Sequence, residues 1–188
     1  MKKELYYVTT NPGKFEEVEG FIKEHVPTIE LKQFEAEIPE IQTLDQKTIA
    51  VDKALSAWEI LQKPLLVDDA AIYFEKYNKF PGTLSKFVSL GIGHEGIKKL
   101  FEDGDKAHFL LYMTYIDGPD SFKIFEGKCD GTLTKPKEFY GDTNLPYDCV
   151  FMPEGIDKTY AQLRNTPEAN KYLYRLKALQ SFLEWYKK

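Results

Sequence analysis

The sequence has little cysteine and histidine, and neither residue type forms a recognisable site. Its two cysteines, Cys129 and Cys149, lie far apart and form no C-x-x-C pair. We therefore predict two free core thiols, with a disulfide as the less favoured alternative. The three histidines, His25, His94 and His108, share no metal-ligand spacing, so a zinc site is not expected.

Clustered positive charge and long apolar runs are also missing. The chain has 25 basic and 30 acidic residues, a net charge of -5, and no stretch collects five or more lysines and arginines. Proteins that neutralise many nucleic-acid phosphates are usually more basic, so no polynucleotide partner is expected, although a small phosphorylated ligand is compatible. No segment approaches the ~20 apolar residues of a membrane span, and none resembles a signal peptide. We expect a cytoplasmic protein without a membrane partner.

What the chain does have is enough apolar residues for a core, since they make up 43% of its 188 residues. One domain covering residues 1–188 is the simplest organisation. Apolar patterns predict strands at residues 5–10, 29–34, 65–67, 107–116, 122–133 and 148–152. Helical spacing predicts helices at residues 15–26 and 48–61, short helices between 84 and 102, and a last helix from 170. The β-α-β-α-β opening indicates an α/β fold.

The first candidate for chemistry is the turn T-T-N-P-G-K at residues 9–14, between a predicted strand and a predicted helix. Helix amino termini offer unpaired N–H groups and a positive partial charge, so a glycine-containing turn with hydroxyls and a lysine suits phosphate binding. It is not a Walker A loop, because the required first glycine and the final Ser or Thr are missing. The alternative is an ordinary turn in which Asn11 caps the helix.

The second candidate is the pair Asp68 and Asp69, which follows the apolar run 65–67. We expect the strand to end at this pair. The two carboxylates would then lie where ligands collect in open α/β sheets, outside the carboxyl ends of the strands. Neighbouring strand residues face opposite ways, so one carboxylate should face the site while the other makes a different contact. Such carboxylates can hold Mg²⁺ together with substrate phosphates. The alternative is a solvated pair that caps a turn.

The third candidate is Lys53, which lies four residues from both Ile49 and Ala57 and therefore within or beside the apolar stripe of its helix. Lysines are seldom buried without a charged partner. Either the side chain reaches the surface along the helix, or a phosphate or the two aspartates hold it.

A G-x-G-x-x-G match at residues 91–96 is not expected to bind a dinucleotide. The residues before it have helical spacing rather than the pattern of a buried strand, and the helix predicted after it is short.

Six short elements along nearly the whole chain stand in the order found in one known family. They are Thr9, Asn11 and Lys14 of T-x-N-x-x-K; I-P-E-I-Q at 38–42, with Glu40; Lys53-Ala54; Asp68-Asp69-Ala70-Ala71; P-G-T-L-S-K-F at 81–87; and Tyr147-Asp148 with F-M-P-E-G at 151–155 and K-T-Y-A at 158–161. Each is weak alone, but together they make the sequence resemble the inosine triphosphate pyrophosphatase, or Ham1-like, family.

The resemblance implies an α/β fold with an elongated mixed sheet, flanking helices and two lobes around a central cleft, usually as a homodimer. It implies Mg²⁺-dependent hydrolysis of the purine nucleoside triphosphates ITP, dITP and XTP to a monophosphate and pyrophosphate. The implied catalytic residues are Asp69, Lys14 and Lys53, and the implied metal ligands are Glu40 and Asp69. The implied substrate-binding residues are Thr9, Thr10, Asn11, Gly13, Lys14, Lys53, Ala70, Tyr147, Asp148 and Arg175.

Departures from the family pattern cluster on the side that would read the base. The replaced positions are Leu145 for an aromatic residue, Pro146 for glycine, Ala169 for lysine, and Leu173 and Tyr174 for Ser-His, with Arg175 retained. Recognition of a 6-oxo purine relies on hydrogen bonds from such groups, and their replacement by Leu and Tyr should reduce discrimination against other bases. Three interpretations therefore stay open: the family reaction with reorganised base contacts, the same chemistry on another base, or a non-catalytic nucleotide-binding relative.

Overall fold

A computed structural model of the protein describes residues 2–141, 144–164 and 166–187. The strands are β1 (Lys3–Val8), β2 (Ile29–Phe34), β3 (Leu65–Phe74), β4 (Pro81–Gly82), β5 (Lys106–Gly118), β6 (Ser121–Leu133) and β7 (Phe151–Pro153). The helices are α1 (Pro12–His25), α2 (Gln46–Leu61), α3 (Ser85–Lys98), α4 (Tyr160–Leu163), α5 (Ala169–Tyr172) and α6 (Tyr174–Tyr186).

The sheet is mixed, as predicted, with the strand order β2-β1-β3-β5-β6-β7 and with β4 paired to β3. Strand β1 runs parallel to β2 and to β3, whereas β7 runs antiparallel to β6. Parallel neighbours need a crossover connection, and α1 and α2 provide the two crossovers at the start of the chain. The α/β class and the predicted opening are therefore confirmed.

The chain divides into two compact units, in agreement with the two lobes implied by the resemblance. Unit 1 comprises Met1–Asp69, Leu111–Gly127 and Ala178–Lys188, and unit 2 comprises Ala70–Leu110 and Lys128–Lys177.

Unit 1 has its core where α2 packs on the sheet. Ala54 and Ala57 of the helix pack with Val8, Leu65 and Val67 of the strands, and all five are buried. Small alanine side chains let the helix approach the sheet closely, and each fully buried aliphatic side chain contributes roughly 1.5–3 kcal/mol. This close packing determines which side chains of α2 face β3.

Unit 2 has an aromatic core. Phe109 of β5 contacts Phe151, Tyr160 and Tyr174, with ring centroids 4.7 to 5.4 Å apart. The Tyr160 hydroxyl donates a hydrogen bond to the carbonyl of Tyr172 at 3.0 Å, so the polar end of this buried ring is satisfied. These contacts join β5 and β7 to the helices near the end of unit 2.

Strand β3 is longer than predicted, and the expectation that it ends at Asp68 and Asp69 is wrong. The apolar pattern resumes after the pair, and the strand continues to Phe74 with Ala71 and Ile72 buried. The main chain of Ile72 receives further support from the buried Ser85 side chain, since its N–H donates to Ser85 Oγ at 3.2 Å. The two aspartates therefore lie within the strand rather than at its end.

Two other predicted elements also differ. Residues 148–150 form a turn instead of the start of β7, because the N–H groups of Val150 and Phe151 both donate to the carbonyl of Tyr147. The last helix begins at Ala169 but is broken at Leu173, which has extended backbone angles of -65° and 119°.

Several predicted absences can be checked. The G-x-G-x-x-G match lies inside α3, with Gly93 at φ 62° in a kink, so it lacks the strand-turn-helix context of a dinucleotide site. Cys129 and Cys149 are free and buried, as predicted. Among the described residues, no helix is long and apolar enough to cross a membrane.

Candidate active site

The turn at residues 9–14 is held in place by its own side chains. Asn11 caps α1, because its Oδ1 accepts a hydrogen bond from the N–H of Lys14 at 3.1 Å. The hydroxyl of Thr9 accepts the N–H of Asn11 at 3.1 Å, and Gln33 of β2 donates to the carbonyl of Thr9 at 3.0 Å. The capping alternative is therefore confirmed for Asn11. Thr10 and Gly13 lie exposed in the same turn.

This turn directs the lysine side chain of α1 toward β3. The Nζ of Lys14 lies 3.0 Å from Oδ1 of Asp68, whose side chain is only 3% exposed. A buried carboxylate is costly unless a cation and hydrogen bonds compensate it, and Lys14 supplies both. The first and second candidates therefore meet in unit 1.

Lys53 makes a second ion pair in unit 1. Its Nζ lies 2.6 Å from Oε1 of Glu40, and the lysine side chain is only 17% exposed. Burial lowers the pKa of Lys53, but the carboxylates of Glu40, Asp68 and Asp69 together outweigh burial and raise the pKa above its ordinary value. Lys53 is therefore a cation held among carboxylates, as one of the two alternatives predicted, with Glu40 as its direct partner.

Asp69 differs from its neighbour Asp68, because it is half-buried and burial raises its pKa. The negative charge of Glu40 raises the pKa further, whereas Lys53, Gln46 and Lys14 oppose the shift. A carboxylate with a raised pKa is a better general base than one at the ordinary value. The two aspartates therefore differ in burial, and the expectation that only one of them faces the site stays a prediction.

Gln46 is a site residue that sequence reasoning missed. Its side chain is buried, and its Nε2 donates to the main-chain carbonyl of Asp69 at 3.1 Å. The helix was predicted to begin at residue 48 but begins at Gln46, which lies three and four residues before Ile49 and Ala50 on the stripe that also carries Lys53. A polar residue at a buried helical position would have identified it.

The oxygen donors of this cluster suit a hard divalent cation. Within the described ranges, no group of three or more His, Cys, Asp and Glu side chains is arranged as a ready metal site. Mg²⁺ rarely needs one, since it is usually held by one or two carboxylates together with substrate phosphates and water. Glu40 and Asp69 both act electrostatically on the same Lys53 ammonium, so their carboxylates fit this mode of binding.

Unit 2 holds the other predicted substrate-binding residues. Tyr147 is buried, its hydroxyl donates to the carbonyl of Ser85 at 2.8 Å, and burial raises its pKa. Asp148 is 3% exposed and its carboxylate is paired with Nε of Arg164, a partner that the sequence did not reveal. Ala70 lies half-buried on β3.

The replaced base-side residues are mostly part of the core of unit 2. Ala169, Leu173 and Tyr174 are each at most 4% exposed, and the ring of Tyr174 stacks on Phe109 with centroids 4.7 Å apart. Arg175 is 1% exposed. These side chains therefore pack within the unit, whereas Leu145 and Pro146 are half-buried.

The fold and the lysine-carboxylate cluster define an α/β protein suited to binding phosphorylated small molecules. A family model described as the Ham1 family matches residues 5–185, and the chain belongs to that family.

Relatives and solved structures agree with this assignment. The dITP/XTP pyrophosphatase of Thermococcus kodakarensis is 35% identical over 187 residues, which is 97% of each chain. Inosine triphosphate pyrophosphatase 2 of Trypanosoma cruzi is 36% identical over 175 residues, covering 92% of this chain and 86% of its own. The names of both relatives describe hydrolases of nucleoside triphosphates.

The Ham1 protein of Staphylococcus aureus superimposes with a TM-score of 0.74 at 24% identity, covering 98% of this chain and all of that one. The Ham1 protein of Coxiella burnetii gives a TM-score of 0.74 at 20% identity and covers 98% of both chains. At these identities, the two structures support the fold.

Proposed function

We propose that the protein hydrolyses a nucleoside triphosphate to a nucleoside monophosphate and pyrophosphate, with Mg²⁺ as its metal and ITP, dITP and XTP as its substrates. The observation that carries this proposal is the position of Lys53, held among the carboxylates of Glu40, Asp68 and Asp69 with Lys14 beside Asp68. The names of the curated relatives support the same class of reaction and the same bases.

Binding of the phosphate chain falls to Lys14 and Lys53. Phosphoryl transfer depends mainly on positioning and on compensating the charge of the phosphoryl oxygens. Both ammonium groups are held in place by carboxylates, and their positive charge is what a phosphate chain requires. The turn at residues 9–14 would add further contacts to the phosphate chain, from the hydroxyls of Thr9 and Thr10, the side chain of Asn11 and the main chain of Gly13.

Asp69 is the residue that we assign to the attacking water. Its carboxylate accepts a proton from that water as the bond to the pyrophosphate leaving group breaks. Glu40 and Asp69 would hold Mg²⁺, which when bound supplies Lewis acidity toward the phosphoryl oxygens.

Recognition of the base is the second half of the proposal. Ala169 and Leu173 carry no side-chain group that could hydrogen-bond a base edge, and the ring of Tyr174 is packed in the core of unit 2. Tyr147, Asp148 and Arg175 stay predicted substrate-binding residues. A different base preference is therefore the second candidate, and the packing of Tyr174 on Phe109 is the observation that favours it.

Assembly and location also stay predictions from the sequence and the family resemblance. We predict that the protein forms a homodimer, is located in the cytoplasm, and has no polynucleotide or membrane partner.

The test is pyrophosphate release from a panel of ITP, XTP, dITP and the four common nucleoside triphosphates, each with and without Mg²⁺. We expect Mg²⁺-dependent release of pyrophosphate and monophosphate in equal amounts, fastest with ITP, dITP or XTP. Preference for another base would favour the second candidate. Inactivity on the whole panel would contradict both and leave a non-catalytic nucleotide-binding protein, which nucleotide-binding calorimetry would then detect.

A further inference from the structure

The main chain of β3 at Asp69 is held by a side chain from α2. The Nε2 of Gln46 donates to the carbonyl oxygen of Asp69 at 3.1 Å, and Gln46 is only 3% exposed. A buried amide that is deprived of its hydrogen-bond partner destabilises the folded state, so the contact is expected to persist. It acts on the backbone of the residue to which we assign the proton transfer.

Helix α2 is placed so that one face reaches Asp69 twice. Asp45 caps the helix by accepting the N–H of Lys47 at 3.2 Å, which sets where its first turn begins. Gln46 and Lys53 are seven residues apart, two turns along the same face. The first supports the main chain of Asp69, and the second places a positive charge near its carboxylate.

Packing alone does not require an amide at position 46. The neighbouring residues on this face are the buried Ile49, Ala50, Ala54 and Ala57. An unbranched apolar side chain of similar volume would fill the same space but would leave the Asp69 carbonyl without this donor. What only the amide supplies is its hydrogen bonding to Asp69, both to the main-chain carbonyl at 3.1 Å and to the carboxyl group.

We propose that Gln46 is a positioning residue for the reaction, and that its hydrogen bond to the Asp69 carbonyl fixes the main chain from which the Asp69 carboxylate meets the attacking water. This inference rests on the proposed function. Misplacing a reacting group by about 1 Å can cost on the order of 100-fold in rate, so a single main-chain hydrogen bond is sufficient to matter.

The experiment compares Gln46→Met and Gln46→Glu with Gln62→Met as the matched control. Methionine keeps the shape but lacks the donor, and the glutamate carboxylate opposes the carbonyl with an acceptor. Gln62 is exposed and lies immediately after α2. We expect kcat to fall about 100-fold in both Gln46 variants, with KM within about 3-fold of wild type and no change in the control.

A second readout does not depend on turnover. In ¹⁵N-labelled wild-type protein, the Gln46 side-chain amide should exchange with water more slowly than that of Gln62, and the slow signal should be absent from Gln46→Met.

The possible outcomes separate the two proposals. Wild-type turnover together with an unchanged kcat in Gln46→Met overturns this inference alone, as does a Gln46 amide that exchanges as fast as Gln62. A parallel rise in KM with kcat unchanged also overturns it. Loss of the circular-dichroism spectrum in both variants would assign Gln46 a structural role instead. Wild-type inactivity on every triphosphate contradicts the proposed function, and this inference with it.

Discussion

The ammonium nitrogen of Lys14 lies 3.0 Å from Oδ1 of Asp68, a residue 54 positions further along the chain. The pair joins the first turn of α1 to the middle of β3. Because Asp68 is buried, its charge depends on this cation for compensation. The same contact therefore stabilises unit 1 and keeps a lysine beside the carboxylates of the candidate site.

Removing the lysine of this pair should destabilise the protein. Lys14→Met leaves the Asp68 carboxylate buried without its ion-pair partner, and we expect a loss of about 3 kcal/mol in the free energy of unfolding. The double variant Lys14→Met/Asp68→Asn should recover part of that loss, because the uncompensated charge is gone. Urea unfolding of the single and double variants measures both effects. A Lys14→Met protein that unfolds at the wild-type midpoint would contradict this account.

Removing the carboxylate of Asp69 should reduce catalysis without reducing stability. Asp69→Asn takes away the proposed base, and we expect kcat to fall about 1,000-fold, within the usual range for general-base catalysis. Burial raises the pKa of Asp69 in the folded protein, so at pH values above that pKa the charged carboxylate lowers the stability of the folded state. In the absence of metal, Asp69→Asn should therefore be at least as stable as wild type. Steady-state kinetics and thermal unfolding test the two parts.

Glu59→Gln, which changes an exposed residue of α2, is the control for Asp69→Asn. Near-normal Mg²⁺-dependent turnover by Asp69→Asn would refute the catalytic assignment.

The role proposed for Glu40 concerns the metal. Glu40→Gln removes one carboxylate ligand, and we expect the Mg²⁺ concentration for half-maximal rate to rise at least about 10-fold. The matched control is Glu37→Gln, an exposed glutamate three residues earlier. Titration of the rate with Mg²⁺ at saturating nucleotide gives the comparison, and equal half-saturation in both variants would exclude Glu40 as a ligand.

Two ion pairs of unit 2 should differ in their contribution to the free energy of unfolding because their burial differs. Asp148 is 3% exposed and paired with Arg164, whereas Lys158 and Glu168 are each about half exposed and 2.9 Å apart. We expect Arg164→Met to cost about 3 kcal/mol of folding free energy. Lys158→Met should cost less than about 0.5 kcal/mol. Comparable losses in the two variants, measured by urea unfolding, would show that burial is not the cause.

The two thiols should be inert in the native protein. Burial raises the pKa of Cys149 from 9.0 to about 11 and also raises that of Cys129, so neither is a thiolate at pH 8. We expect a thiol reagent such as DTNB to react with neither in the folded state and with both after denaturation. Rapid labelling of either thiol in folded protein would be the contrary result.

The direction of the Cys149 shift also gives a pH dependence. Folding favours the neutral thiol, so this contribution to stability is complete below pH 9 and is lost as the pH rises toward about 11. Cys149→Ala should therefore show a weaker decline in stability across that range than wild type does.

Periodicity was sufficient for most of the fold because it reports which face of an element is buried. Strand β2 was predicted at its observed bounds, and α1 and α2 were predicted to within a few residues. The error at Asp68 and Asp69 has a definite cause. Two charges in succession are typical of a strand end. Here a lysine compensates each charge, Lys14 for Asp68 and Lys53 for Asp69, so the strand continues through them.

The site was found from sequence where a residue conflicted with its surroundings. Lys53 in an apolar stripe was recognised, and Gln46 on the same stripe could have been. Arg164 could not, because it carries no local signal: it lies 16 residues from Asp148 and is paired with it only through the fold of unit 2. Long-range partners of this kind are invisible to pattern and spacing.

By itself, the sequence determined the α/β class, the family, and the residue types that we propose to bind phosphate, because hydrophobic period and motif order are properties of the chain alone. Only the tertiary structure decided which charges meet. It paired Lys14 with Asp68 and Lys53 with Glu40, and it placed Gln46 on the main chain of Asp69. The physical reason is that ion pairing and burial act across space, at distances of about 3 Å that separation along the chain does not predict.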